Sequence, residues 1–236
     1  MQSDKKYNVQ VLCTRPVSEM LVEDASAKGI QLDILSFITT APIETVEVQQ
    51  EVEHALLLSA TVVFTSMNAV EAVAAFVIDT IPDWRIYCIG NTTCQLVIKY
   101  FGEASIAGTA NSAEALARLI IDDGDAEEVI FFCGDQRRDE LPNVLKAQEI
   151  FVDEVGVYQT LAVPHKINKH YNAVIFFSPS AVHSFFKVNR MDERVIVFTI
   201  GTTTADAVAA YCSNKIVKAP HPGKEELVRE MISFFA

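Results

Sequence analysis

Glycine and proline are scarce, at nine and eight of 236 residues, and no low-complexity tract interrupts the chain. A chain so poor in flexible punctuation is not expected to carry long disordered linkers. Positive charge is short as well: 19 Lys and Arg stand against 31 Asp and Glu, a formal charge of −12. Phosphate backbones are bound by clustered Lys and Arg, so no nucleic-acid partner is expected. No apolar run reaches bilayer length, and the polar start Met1-Gln2-Ser3-Asp4-Lys5-Lys6 lacks the apolar core of a signal peptide. No membrane partner follows from such a sequence. The five cysteines are odd in number and form no Cys-x-x-Cys pair. Cys13, Cys88 and Cys133 fall in strand-like runs, where a reduced thiol behaves as a small hydrophobe. Disulfides and zinc are therefore not expected, and the cytoplasm is the natural compartment. His54, His165, His170, His183 and His221 are scattered without metal-ligand spacing. Gly-x-Gly-x-x-Gly, P-loop and Gly-x-Ser-x-Gly patterns are also absent, which removes the main support for nucleotide binding and serine hydrolysis.

Half of the residues are hydrophobic, enough to build a real core. One stretch appears twice: Val62-Val63-Phe64-Thr65-Ser66-Met67-Asn68-Ala69-Val70 is echoed by Val174-Ile175-Phe176-Phe177-Ser178-Pro179-Ser180-Ala181-Val182. Each copy is a β-branched and aromatic run, too apolar to alternate, that stops at Ser and restarts with helical spacing. It reads as a strand buried on both faces followed by a helix, with Asn68 and Ser180 as good N-caps. A second pair, around Ile89-Gly90-Asn91-Thr92 and Ile200-Gly201-Thr202-Thr203-Thr204, lies at almost the same offset: 112 residues from Ser66 to Ser178 and 111 from Gly90 to Gly201. The offset also aligns the stretch at Ser112 with that at Gly223. The chain is an internal duplication.

Strand and helix patterns alternate throughout, which indicates α/β architecture with parallel sheets. Two long extended runs, 32–40 and 152–160, both end in Thr, with Asp33 and Asp153 at matching places. If both runs cross between domains, residues 43–154 form an inserted α/β domain. Residues 1–36 plus 163–236 form a discontinuous one, and 37–42 and 155–162 are linker strands. Five strands in each domain give a flavodoxin-like or Rossmann-like count, with ligands expected at the carboxyl ends of the strands. Free N–H groups at the helix starts there suit an anion. The alternative is plain helix capping by the same hydroxyls.

Several motifs in order resemble a known family. Phe64-Thr65-Ser66-x-Asn68-Ala69-Val70, Ile89-Gly90, Arg138-x-x-Leu141, Val157-Tyr158-x-Thr160, Phe177-Ser178-Pro179-Ser180-Ala181-Val182 and Ile200-Gly201-x-Thr203-Thr204 together look like uroporphyrinogen-III synthase, from Thr14-Arg15 to the last helix. The resemblance implies two α/β domains joined by a two-stranded ladder, with the active site in the cleft. It implies cofactor-free cyclisation of hydroxymethylbilane to uroporphyrinogen III, by a monomer that receives its substrate in a transient hand-off from the upstream bilane synthase. Tyr158, on the family's Val-Tyr-x-Thr motif, would be the catalytic acid, with anchoring of the ladder as its structural alternative. The substrate's carboxylates would meet Thr14, Arg15, Thr65, Ser66, Asn68, Gly90, Asn91, Thr92, Arg138, Ser178, Ser180, Gly201, Thr202, Thr203 and Thr204. Arg137 matches no family position and is the weaker of the two neighbouring arginines. The competing reading is a non-catalytic two-domain protein that binds an anionic small molecule, since fold alone does not separate the two.

Overall fold

The computed structural model describes residues 7–78, 80–220 and 223–236. The polar start Met1-Gln2-Ser3-Asp4-Lys5-Lys6 and His221 lie outside the described residues. The chain opens with β1 (Val9–Cys13), α1 (Glu19–Ala27), β2 (Ile30–Ile34) and β3 (Ile38–Pro42). It continues through α2 (Val46–Leu56), β4 (Ala60–Phe64), α3 (Met67–Ala74), β5 (Trp84–Ile89) and α4 (Gly90–Phe101). After a 3-10 turn (Glu103–Ser105) come β6 (Ile106–Ala110), α5 (Ala113–Asp123), β7 (Glu128–Gly134), α6 (Glu140–Lys146) and β8 (Phe151–Ala162). The last third is β9 (Ala173–Phe176), α7 (Pro179–Phe186), β10 (Ile196–Thr199), α8 (Thr202–Ala209), β11 (Ile216–Lys218) and α9 (Lys224–Phe235).

The chain divides into two units. The first comprises Met1–Thr39 and Leu161–Ala236, the second Thr40–Thr160. In the first unit, five parallel strands take the order β11-β10-β9-β1-β2. Alternate residues face opposite sides, because successive strand side chains point apart. Val11, Cys13, Ile175 and Phe198 meet Leu21 of α1 and Leu227 and Met231 of α9. Leu12, Val174, Phe176 and Val197 meet Val182 and Phe185 of α7 and Val208 of α8. Both faces are covered, which is why these strands read as unbroken apolar runs.

The second unit repeats this plan. Its sheet runs β3-β8-β7-β4-β5-β6, parallel from β8 to β6. Phe64 stacks with Phe101 and Phe132 at centroid distances of 5.9 and 5.5 Å, within the face covered by α2, α3 and α4. Val63, Tyr87 and Phe131 face Leu116 of α5 and Leu141 of α6. Each fully buried side chain of this size stabilises the fold by about 1.5–3 kcal/mol.

The duplicated stretches become β4–α3 and β9–α7, followed by β5–α4 and β10–α8. Position by position, β9, β10, β11, β1 and β2 occupy in one sheet the places of β4, β5, β6, β7 and β8 in the other. The order in the first unit is 2-1-3-4-5 by its own strand count, and in the second 3-2-1-4-5. These are the flavodoxin-like and Rossmann-like orders.

Two sequence expectations need correction. The run 32–40 is two strands, not one: β2 ends at Ile34, Leu35 N–H bonds Cys13 O at 3.0 Å, and Phe37 turns into the core beside Phe185. β3 then joins the other sheet, which carries six strands where five were expected. Ile43 N–H donates to Val157 O and Val163 N–H to Phe37 O, at 3.0 and 2.9 Å. Higher numbers on one strand meet lower ones on the other, so β3 and β8 run antiparallel. These two strands make the ladder in which the chain passes from one unit to the other and back.

Candidate functional site

In a parallel sheet all carboxyl ends open on one edge, and ligands favour the switch point where crossovers diverge. In the second unit that point lies between β4 and β7. Thr65 and Ser66 leave the end of β4, half-buried. Ser66, not Asn68, is the N-cap of α3: its Oγ accepts from Asn68 N–H at 3.2 Å, while Asn68 is the second helical residue. Ser178 plays the same part for α7, its Oγ accepting from Ala181 N–H at 3.3 Å, and Ser180 is already helical. Extended backbone at Ser66 and Ser178 puts the hydroxyl over the helix start, so the cap falls two residues earlier than the sequence pattern suggests.

The second pair of helix starts differs. α4 begins at Gly90 behind Ile89, and α8 begins at Thr202 behind Gly201, and neither has a side-chain cap. Their first N–H groups have no intrahelical acceptors and carry the positive end of the helix dipole. Asn91, Thr92, Thr202 and Thr203 are exposed around them. Gly90 has φ +73°, which only glycine adopts without strain, whereas Gly201 is extended at φ −178°.

Tyr158 stands on β8 opposite Gly134, at a bulge where the β7–β8 register shifts after Cys133 and Gly156. A Cβ on Gly134 would fall 2.4 Å from Tyr158 Cζ, so the ring lies directly on that glycine. Asp135 fixes the strand beyond it, with its N–H donating to Tyr158 O at 3.1 Å and its Oδ1 accepting from Thr160 N–H at 2.9 Å. The Tyr158 hydroxyl has no hydrogen-bond partner among the described residues. With Asn68, Tyr158 lines a cavity of about 310 Å³. Glu71 and Glu44 share its wall and escaped the sequence reading. The signal was present: Asn68, Glu71, Ala72 and Ala75 all line the cavity, at the i, i+3, i+4, i+7 spacing of one helix face.

Arg137 bridges Asp139 and Glu154, while Arg138 is exposed with no acidic partner among the described residues. In the first unit Arg15 is likewise exposed and unpaired among the described residues. Lys224, at the start of α9, also went unnoticed in the sequence. Its pKa is lowered by partial burial and by the nearby charge of Arg15. Two residues fit the expected site poorly. Thr14 is buried and its hydroxyl donates to Ile175 O at 2.8 Å, clamping β1 to β9. Thr204 is buried in the first turn of α8. Burial pushes the Cys13 and Cys133 thiols up to about 11 and Cys88 to about 12, so all three stay protonated and unreactive at neutral pH.

The geometry defines a two-domain α/β protein in which α4 and α8 start without side-chain caps at the strand ends. The family model for uroporphyrinogen-III synthase HemD matches residues 19–229. The chain belongs to the uroporphyrinogen-III synthase family, whose chemistry lies in tetrapyrrole biosynthesis. Uroporphyrinogen-III synthetase from Helicobacter pylori is similar in structure, with a TM-score of 0.66 at 14% identity over 96% of this chain and 99% of that one. A mutant uroporphyrinogen III synthase from the extremely thermophilic bacterium Thermus thermophilus gives 0.58 at 15% identity over 96% and 97%. At such identities the structural likeness speaks for the fold alone. Among the described residues no helix is long and apolar enough to cross a membrane.

Proposed function

We propose that this chain converts hydroxymethylbilane to uroporphyrinogen III, with inversion of ring D and release of water. The terminal hydroxyl of the linear tetrapyrrole leaves as water once protonated, giving an azafulvene. The substituted carbon of ring D attacks it to form a spiro centre. The bond from that centre to the ring C methylene breaks and re-forms at the free α-carbon of ring D, which therefore closes inverted. The proton donated to the leaving hydroxyl is balanced by the one ring D loses as it regains aromaticity.

The observation that carries this reading is Tyr158, which lines a cavity and whose hydroxyl has no hydrogen-bond partner among the described residues. It is the proposed acid for water loss. A single proton donor supplies only part of a rate enhancement, so most of the acceleration would come from holding the reacting ends together. The uncapped starts of α4 and α8, with Arg15 and Arg138, are the proposed carboxylate holders. The same chemistry explains how a protein of charge −12 could accept a polyanion: the contacts are local N–H groups and a few cations.

A coupled assay tests the proposal. Hydroxymethylbilane is generated in place, the product oxidised and the uroporphyrin isomers separated. Isomer III above the spontaneous isomer I background is expected. Isomer I alone, from folded protein, would overturn the reading and favour a non-catalytic anion binder. Tyr158→Phe is expected to lower kcat by about a hundredfold, the low end for a general acid, with KM little changed. Turnover equal to wild type would remove Tyr158 from the chemistry.

A further inference from the structure

The amino-terminal edge of the first unit's sheet, opposite the strand ends just described, holds a cavity of about 750 Å³. Gln10 near the start of β1, Asn172 just before β9 and Val195 just before β10 mark that edge. The charge there runs against the rest of the chain. Residues 166–194 carry five of the 19 basic residues and only two of the 31 acidic ones, a balance of +3 in a protein of −12. Three of the five, Lys169, Arg190 and Arg194, line the cavity together with His170.

Their partners leave charge to spare. Lys169 pairs with Asp33 and Arg194 with Asp192, but Arg190 has no acidic partner among the described residues. Asp192 is the one carboxylate in the cavity wall among the described residues. The floor is apolar, built from Leu12, Val174 and Phe185. Gln10 also lines the cavity, and its Oε1 is buried with no hydrogen-bond partner among the described residues. A buried acceptor without a donor is destabilising, and a structure retains such a group where something else supplies the donor.

We infer that this cavity is a second ligand site, for a small organic anion that carries an N–H or O–H donor on an apolar body. The anion would meet Arg190, with Arg194 and Lys169 beside it. The donor would satisfy Gln10 Oε1, and the apolar body would cover Leu12 and Phe185. The volume lies within the range of drug-sized ligand sites, which are mostly apolar with a few placed polar groups. The inference is independent of the synthase reading, since none of these residues belongs to the proposed substrate site.

The probe is 8-anilinonaphthalene-1-sulfonate, whose sulfonate, anilino N–H and fused rings match the three demands. Its fluorescence is titrated against the full chain, with indole-3-acetate and inorganic phosphate as competitors. Saturable binding is expected, displaced by indole-3-acetate and poorly by phosphate. Arg190→Gln, at an exposed position, should weaken it about tenfold through loss of a charge-assisted bond. Gln10→Leu should weaken it several-fold yet raise Tm, because the unsatisfied acceptor is gone. Tyr158→Phe should leave dye affinity unchanged. Equal dye affinity in wild type and Arg190→Gln would overturn the inference, as would the absence of saturable binding. Displacement by phosphate as effective as by indole-3-acetate would also overturn it, since charge alone would then be read.

Discussion

The two units share one spatial strand arrangement and one capping scheme, and differ where chemistry is proposed. In each, the helix after the first repeated strand is closed by a serine hydroxyl and the helix after the second is left open. The counterpart strands β2 and β8 diverge. β2 is five residues long, while β8 runs for 12, bulges opposite Gly134 of β7 and carries Tyr158, which lines a cavity. The other unit instead gathers cations at the amino edge of its sheet. The comparison teaches that the duplicated parts build one scaffold with the same capped and uncapped helix starts. The unduplicated parts decide what each edge can do.

The strongest way to probe the likeness is through its cores. Phe64 and Phe176 hold equivalent places in the repeat, and both are fully buried among aromatic rings. Replacing either with Ala should cost about 3–5 kcal/mol. Hydrogen exchange read unit by unit should show the loss in the mutated unit first. A uniform rise in exchange across both units after either change would mean that they unfold as one body, and the two-unit comparison would lose its energetic meaning.

The matched glycines should separate the units. Gly90→Ala forces an L side chain to φ +73° and should cost about 1–2 kcal/mol, whereas Gly201 is extended with open space at its Cβ position. Gly201→Ser should be neutral or stabilising by about a few tenths, because it supplies the missing cap. Denaturant midpoints of the two variants check this directly, and equal losses would mean that the backbone difference carries no energy. The matched serines should behave alike instead. Ser66→Ala and Ser178→Ala each remove one cap bond and should each cost about 1 kcal/mol. A large loss of turnover with no loss of stability in either would show its hydroxyl acting on substrate rather than on its helix.

Much of this scaffold was legible in the chain. The serine strands, the near-constant offset and the crossing runs follow from local apolar pattern, which parallel burial imposes on every residue of a strand. What stayed hidden is non-local. Asp33 and Asp153 hint that β2 takes the place of β8, but nothing in 9–13 resembles 128–134 closely enough to say that β1 takes the place of β7; only the sheet order reveals it. Thr14 reads as an offered hydroxyl, but folding buries it against Ile175 O. Arg137 and Arg138 are neighbours whose fates depend on where Glu154 arrives from β8. The basic cavity joins Gln10 and Leu12 to residues 167–195, a juxtaposition that no window of sequence contains.

The smallest effect tests the matched aspartates. Asp33 Oδ2 accepts from Lys169 Nζ at 2.5 Å and from the Tyr171 hydroxyl at 2.8 Å, and Oδ1 accepts from Gln31 Nε2 at 3.1 Å. Asp153, on β8, has no ion pair among the described residues and is exposed. Burial pushes the Asp33 carboxyl upward, but the bonds from Lys169, Tyr171 and Gln31 outweigh it and hold the pKa below the ordinary value. Burial first, and then the bond to Asp33, raise the Tyr171 phenol. A lowered carboxyl pKa stabilises the fold above the unfolded value near 4 and loses that contribution as pH falls through the folded one. A raised phenol pKa contributes fully below about 10 and fades as pH rises through its folded value. The cluster is therefore at full strength between about pH 4 and pH 10. Because Asp33 and Lys169 keep 29% and 42% of their side chains exposed, solvent screening limits the gain to about 0.5–1 kcal/mol. Asp33→Asn should lose that amount at pH 7, and its gap from wild type should close as unfolding is followed down below about pH 4. Asp153→Asn should change nothing at either pH. If the two variants lost equal stability at pH 7, the contrast between β2 and β8 would not reside in these carboxylates.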